Sequence, residues 1–200
     1  MYSPCRTLAQ RRNMMLKLAQ RKRTEQIVLV ALFSTLTWIG AYLRIELIPP
    51  VPFTLQNFMV IMSGILLGLR YATWSQLAYL LLGLAGVPVF SQGGGLGYVF
   101  RPGFGFILGF VGAAAVVGGL SKFIRKPTFL NCLGLALSGM VVIYLIALPY
   151  LYFINKLILN QPVAFYQLAL GMAPFFVGDA IKSVTIAGLI PTLWRRLREL

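Results

Sequence analysis

The 200-residue chain contains no histidine, 4 acidic residues and 2 cysteines. Without histidine, the usual proton shuttle near neutral pH and the commonest zinc ligand are both missing. Cys5 and Cys132 lie far apart and form no metal-type or redox pair, so they read as free thiols. Charged residues make up only 11% of the chain, about half the share of a soluble domain. That is too little polar surface to cover a soluble fold of this size. In its place stand 58% hydrophobic residues and a mean hydropathy of +0.81. The remaining class is an all-α integral membrane protein.

A helix needs roughly 20 apolar residues to cross the bilayer core. Apolar runs at 27–48, 53–69, 72–90, 103–121, 130–153 and 168–193 predict six transmembrane helices. Arg70 and its neighbours alone separate the second run from the third. Residues 1–26 form a basic cytoplasmic tail, read as a disordered or surface-lying arm on the inner leaflet, and 27–200 form the membrane domain. The first apolar run is too long for a signal peptide and has no convincing cleavage site.

The net charge of +14 becomes a topology once the bases are sorted. Arg6, Arg11, Arg12, Lys17, Arg21, Lys22 and Arg23 precede the first run. With Arg70, then Lys122, Arg125 and Lys126, then Arg195, Arg196 and Arg198, they fall on one side. Arg44, Arg101 and Lys156 fall on the other. Basic residues gather on the cytoplasmic side, so both termini are expected inside. Topology accounts for the charge, and no nucleic-acid partner is expected.

One base and one acid break this order. Asp179 and Lys182 lie inside the sixth run, three residues apart and on one helix face. Ionisable residues inside spans are functional candidates by default; a structural ion pair is the competing reading. A helix starting at Leu168 puts Asp179 about 16 Å inward, and one starting at Pro174 about 8 Å. Either depth is reachable from the outer face. After the first run, Pro49-Pro50-Val51-Pro52 stiffens a segment that can present Thr54, Gln56 and Asn57 at a set angle. The third-to-fourth connection, Val87 to Tyr98, carries Phe90, Gln92, Gly93-Gly94-Gly95 and Tyr98. Such a loop can cap a pocket, and it matches neither a Walker motif nor a dinucleotide fingerprint. Arg101 is either a snorkelling anchor or a partner for a carboxylate ligand. Asn155 either caps the fifth helix or donates to a ligand carbonyl. Ala31 and Thr35, like Gly64/Gly68 and Gly105/Gly109, have the small-residue spacing that lets helices approach closely, inside the bundle or against another subunit.

Three motifs together carry a resemblance. They are Pro50-Val-Pro-Phe-Thr-Leu-Gln56, Leu80-Leu-Leu-Gly-Leu-Ala-Gly-Val-Pro-Val-Phe90 with its Gly-rich tail, and Gly178-Asp-Ala-Ile-Lys182. In this order and spacing, residues 27–193 resemble the BioY family, the biotin-binding S components of energy-coupling factor (ECF) transporters. The basic tail lies outside the resemblance. It implies an S-component-like bundle of six helices in the plasma membrane, with an outward-facing pocket closed by the loops after the first and third helices. It implies biotin as transported ligand, no cofactor, no metal and no catalysis. Asp179 and Lys182 map onto the pocket; Ala31 and Thr35 map onto the face that docks the membrane-coupling T component, which works with ATP-binding A subunits. Two places depart from the family pattern: Thr35, where alanine is common, and Arg101-Pro-Gly-Phe-Gly-Phe106, where Gly-Pro-Thr-Gly-Gly-Tyr is frequent.

The expected ligand-binding set is therefore Asp179, Lys182, Asn155, Gln56, Thr54, Arg101, Gln92, Phe90 and Tyr98. Membrane lipid is a further partner. Solitary action without the T and A subunits, and homo-oligomerisation, stay open. An S component for another vitamin and a membrane-embedded enzyme are the alternative functions. The enzyme has little support, because Asp179 is the lone acid inside a span and two-carboxylate chemistry lacks a second member.

Overall fold

A computed structural model describes residues 4–48, 51–124, 127–159 and 164–198. Pro49-Pro50, Arg125-Lys126 and the expected loop at Pro162 lie outside the described residues, as do the side chains of residues 1–22 in the basic tail, Cys5 included, and of the C-terminal arginines. The order is α1 (Pro4–Tyr42), β1 (Arg44–Ile48), β2 (Val51–Thr54), α2 (Gln56–Leu84), a 3-10 turn (Leu96–Phe100), α3 (Phe104–Ser121), α4 (Phe129–Leu157), α5 (Phe165–Gly171) and α6 (Ala173–Arg198). Among the described residues, five helices are long and apolar enough to cross a membrane: Arg23–Tyr42 of α1, α2, α3, α4 and Ala173–Thr192 of α6.

The difference between five helices and six expected spans lies in α2. Gly68 has φ 74 and ψ 177, a non-helical conformation inside the helix. Only glycine adopts this region readily. Gln56 and Tyr79 would stand about 34 Å apart on a straight helix, yet their side chains hydrogen-bond at 2.6 Å. The chain therefore doubles back at Gly68, with Arg70 at the turn, and α2 supplies two antiparallel arms. The second and third apolar runs are these arms, divided at Gly68.

Other boundaries moved as well. The first run was expected to stay helical to residue 48. Instead α1 stops at Tyr42, and β1 pairs with β2 in a two-stranded antiparallel hairpin. The Pro49–Pro52 segment is rich in proline, which resists helix and favours extended backbone. The sixth run divides into α5 and α6, with Pro174 in the first turn of α6, where its missing N–H costs nothing. The backbone of the basic tail is helical from Pro4 and runs straight into the first span, where a disordered or surface-lying arm was expected.

The bundle packs α2 on α1 and α3, α3 on α4, and α4 on α6. The small residues of α2 and α3 serve these internal contacts. A Cβ on Gly64 would meet Val117 of α3 at 2.8 Å, and one on Gly109 would meet Ile143 of α4 at 3.0 Å. Ala31 and Thr35 differ, since both are exposed on α1, and the Thr35 hydroxyl donates to the Ala31 carbonyl at 2.9 Å.

Candidate functional site

At the end of the bundle away from the Gly68 turn, the hairpin, the loop of residues 85–103 and helices α2, α3, α4 and α6 converge on one cavity. Its wall includes Val51, Pro52, Phe53, Thr54, Gln56, Asn57, Ser91, Tyr98, Phe106, Phe110, Tyr144, Phe175, Asp179 and Lys182. The polar floor comes from α6. Asp179 is 3% exposed and Lys182 6% exposed. Their charged groups meet at 2.8 Å, as the i, i+3 spacing allows.

Each charge has further partners from distant sequence. The other Asp179 oxygen, Oδ2, accepts from Asn57 Nδ2 at 3.0 Å and from the Tyr144 hydroxyl at 2.6 Å. Lys182 Nζ donates to the Thr54 carbonyl at 2.6 Å and lies 3.6 Å from the centroid of the Phe53 ring. Gly178 lets this ring approach, because a Cβ there would lie 2.4 Å from Phe53 Cζ. One polar network thus joins α6, α4, α2 and the hairpin in a low-dielectric interior, where charge-assisted hydrogen bonds are strong.

A second chain of bonds ties the hairpin to the Gly-rich loop. Thr54 Oγ1 donates to Gln56 Oε1 at 3.1 Å, Gln56 Nε2 to the Tyr79 hydroxyl at 2.6 Å, and that hydroxyl to the Val89 carbonyl at 3.0 Å. Phe90 stands between Tyr79 and Tyr98, with ring centroids at 5.5 and 4.6 Å. Burial pushes the Tyr98 phenol up, against the opposing pull of the Ser91 hydrogen bond and Arg101. It therefore stays neutral and able to donate at physiological pH.

Asp179, Lys182, Thr54, Gln56 and Tyr98 of the expected set line the cavity together. Phe90, Gln92 and Arg101 line a separate outer recess with Tyr42, Arg44, Pro88, Ser91 and Gly93. Ser91 belongs to both spaces. Arg101 lies 5.7 Å from the Tyr98 ring centroid. Asn155 lines neither: its amide donates to the Leu151 carbonyl of its own helix at 2.8 Å. Sequence reasoning gave Tyr144 no role, and it presented Asn57 beside Gln56 without counting it in the final ligand-binding set. An acid within a span was the available signal, since the carboxylate oxygen left over from the Lys182 pair demands donors from neighbouring helices. Nothing in the sequence said which donors.

The free volume between these groups is about 30 Å³, room for one or two waters. Beside it, across Tyr144 and Asp179, an apolar groove between α4 and α6 opens sideways.

The arrangement defines a class: a multi-pass membrane protein in which a buried charge pair floors an aromatic-walled cavity under a hairpin and a Gly-rich loop. Among the described residues, Asp179 is the one carboxylate that lines the cavity. By comparison with known proteins, the chain belongs to the BioY family, whose description matches residues 11–199. The match takes in part of the basic tail, which was expected to lie outside the resemblance. A relative described as a probable biotin transporter BioY from Lysinibacillus sphaericus is 38% identical and covers 90% of this chain and 92% of that protein. The biotin transporter BioY of Thermotoga maritima is 34% identical over 86% of this chain and 96% of its own. A crystal structure of the S component for biotin from an ECF-type ABC transporter superposes with a TM-score of 0.75 at 24% identity, covering 90% of this chain and 94% of that one. That likeness establishes the shared fold.

Proposed function

We propose that this chain is the biotin-capturing S component of an ECF-type transporter in the plasma membrane, with translocation driven by ATP hydrolysis in partner subunits. The observation that carries the reading is the mixed polar floor beneath aromatic walls. A carboxylate that accepts stands beside an ammonium, an amide and a phenol that donate. Biotin's ureido ring offers two N–H donors and one carbonyl acceptor, so it complements this floor from both sides. Its own carboxylate would be repelled by Asp179 and belongs toward the mouth. There Arg44 and Arg101 stand in the outer recess and favour approach of an anionic ligand. Phe53, Phe106, Phe110 and Phe175 suit the apolar sulfur ring and methylene chain.

The free volume of about 30 Å³ is far below what biotin occupies, so binding requires the lid to open. The hairpin is the natural lid, because Phe53 and the Thr54 carbonyl are what it presses onto Lys182. Ligand would replace these internal contacts. Both termini face the cytoplasm in this reading, and the exposed Ala31–Thr35 face meets the membrane-coupling subunit. With the Thr35 hydroxyl bonded to the Ala31 carbonyl, that face is small and has its polar group satisfied.

Equilibrium binding to detergent-purified protein tests the proposal, with biotin, thiamine and riboflavin in one panel. Biotin is expected to bind in the nanomolar to low micromolar range and the others at least a hundredfold more weakly. Absence of biotin binding, or preference for another vitamin, would overturn it.

A further inference from the structure

A groove at the opposite end of the bundle plays no part in this chemistry. It lies between α1 and the second arm of α2, has a volume of about 380 Å³, and is lined by Arg23, Gln26, Ile27, Val30, Arg70, Tyr71, Trp74, Ala78 and Leu81. Both arginines are exposed, and neither pairs with a carboxylate among the described residues. The Tyr71 hydroxyl donates to Gln26 Oε1 and ties the two helices together at the groove. Trp74 is 55% exposed.

The order of residues along the groove identifies its occupant. Both helices run into the membrane from this end. On α1 the order is Arg23, Gln26, Ile27, Val30. On α2 it is Arg70, Tyr71, Trp74, Ala78, Leu81. Each series passes from cation, through a polar amide on α1 and amphipathic aromatics on α2, to aliphatic surface. That is the order of a phospholipid read from phosphate to glycerol to acyl chain. Tyr and Trp favour the headgroup level, and basic pockets between helices on the cytoplasmic side hold anionic headgroups. A protein partner would leave two guanidinium groups needing carboxylates, while a lipid phosphate accepts bidentate bonds from both.

We propose that this groove is a binding site for one anionic phospholipid of the inner leaflet, its phosphate between Arg23 and Arg70 and one acyl chain along Ile27, Val30, Ala78 and Leu81. The site is independent of the biotin reading, because it shares no residue with the cavity.

Native mass spectrometry of the full-length purified protein, given equal amounts of phosphatidylglycerol and phosphatidylcholine with matched chains, tests it. One phosphatidylglycerol should be retained with a preference on the order of twentyfold, about fivefold from each arginine. Arg23→Gln and Arg70→Gln should each remove about fivefold, and the double variant should retain the two lipids equally. Arg11→Gln with Arg12→Gln, in the tail, should leave the preference intact. Biotin binding measured on the same samples checks that the variants are folded. Equal retention of both lipids by the wild-type protein would overturn the proposal. So would a preference that survives the Arg23/Arg70 double variant or disappears with the tail arginines.

Discussion

Neutralising the Asp179–Lys182 pair one charge at a time, then both together, separates its two roles. Lys182→Met keeps most of the side chain's volume and removes the ammonium. Asp179 would then be left 3% exposed with Asn57 and Tyr144 as donors but no counter-charge. Breaking a buried pair from one side costs roughly 3–5 kcal/mol. Asp179→Asn strands Lys182 and should cost about the same. Changing both residues removes both buried charges, and uncharged substitutes for a buried pair are often neutral or stabilising. Most of the lost stability should therefore return in Asp179→Asn/Lys182→Met. Biotin binding should not return with it. The ligand would lose two hydrogen bonds to charged groups, worth roughly 1.5–3 kcal/mol each, or about a hundredfold to ten-thousandfold in affinity. Thermal unfolding in detergent and equilibrium dialysis with labelled biotin measure the two quantities on the same samples. A double variant that regains both stability and full affinity would refute the reasoning and leave the pair a purely structural device.

Further outcomes follow from the same geometry. Asn57→Ala removes a donor to Asp179 and should weaken biotin binding roughly tenfold to a hundredfold. Asn155→Ala should leave affinity within about threefold, because that amide bonds its own helix; a large effect at Asn155 would move the site. Gly178→Ala would push a methyl into Phe53 and tilt the ring off Lys182. It should weaken biotin binding about tenfold and cost roughly 1–3 kcal/mol in stability, both measurable by titration and unfolding. Gly68→Ala forces a side chain onto φ 74 and should destabilise by roughly 1–3 kcal/mol. Gly134→Ala, in a helix with open space around it, should gain up to about 1 kcal/mol; equal melting temperatures for the two variants would contradict this. Cys5 offers a natural test of sidedness, because Cys132 is buried. A membrane-impermeant maleimide should label Cys5 only after cells are permeabilised. Labelling in intact cells would reverse the topology.

Much was legible in the one-dimensional pattern because a bilayer imposes local rules. Length, hydropathy and the sorting of bases depend only on what each stretch would meet in water or lipid. They yielded an α-helical membrane protein, the two arms of α2 and the anomaly of Asp179 and Lys182. An acid and a base three residues apart inside an apolar run share a helix face whatever surrounds them. Other features depended on neighbours far away in sequence. The break of α2 falls at Gly68 because the backbone there takes a conformation other residues resist, whereas hydropathy suggested only an approximate boundary near Arg70. Asn57 and Tyr144 join Asp179 across 122 and 35 residues of sequence, pairings no local pattern encodes. Asn155 turned back to its own helix for the opposite reason, since a partner four residues away was sufficient. The chain alone thus determined that a charge pair had to be satisfied within the membrane. The tertiary structure decided which helices satisfy it, and so which residues form the wall of the cavity.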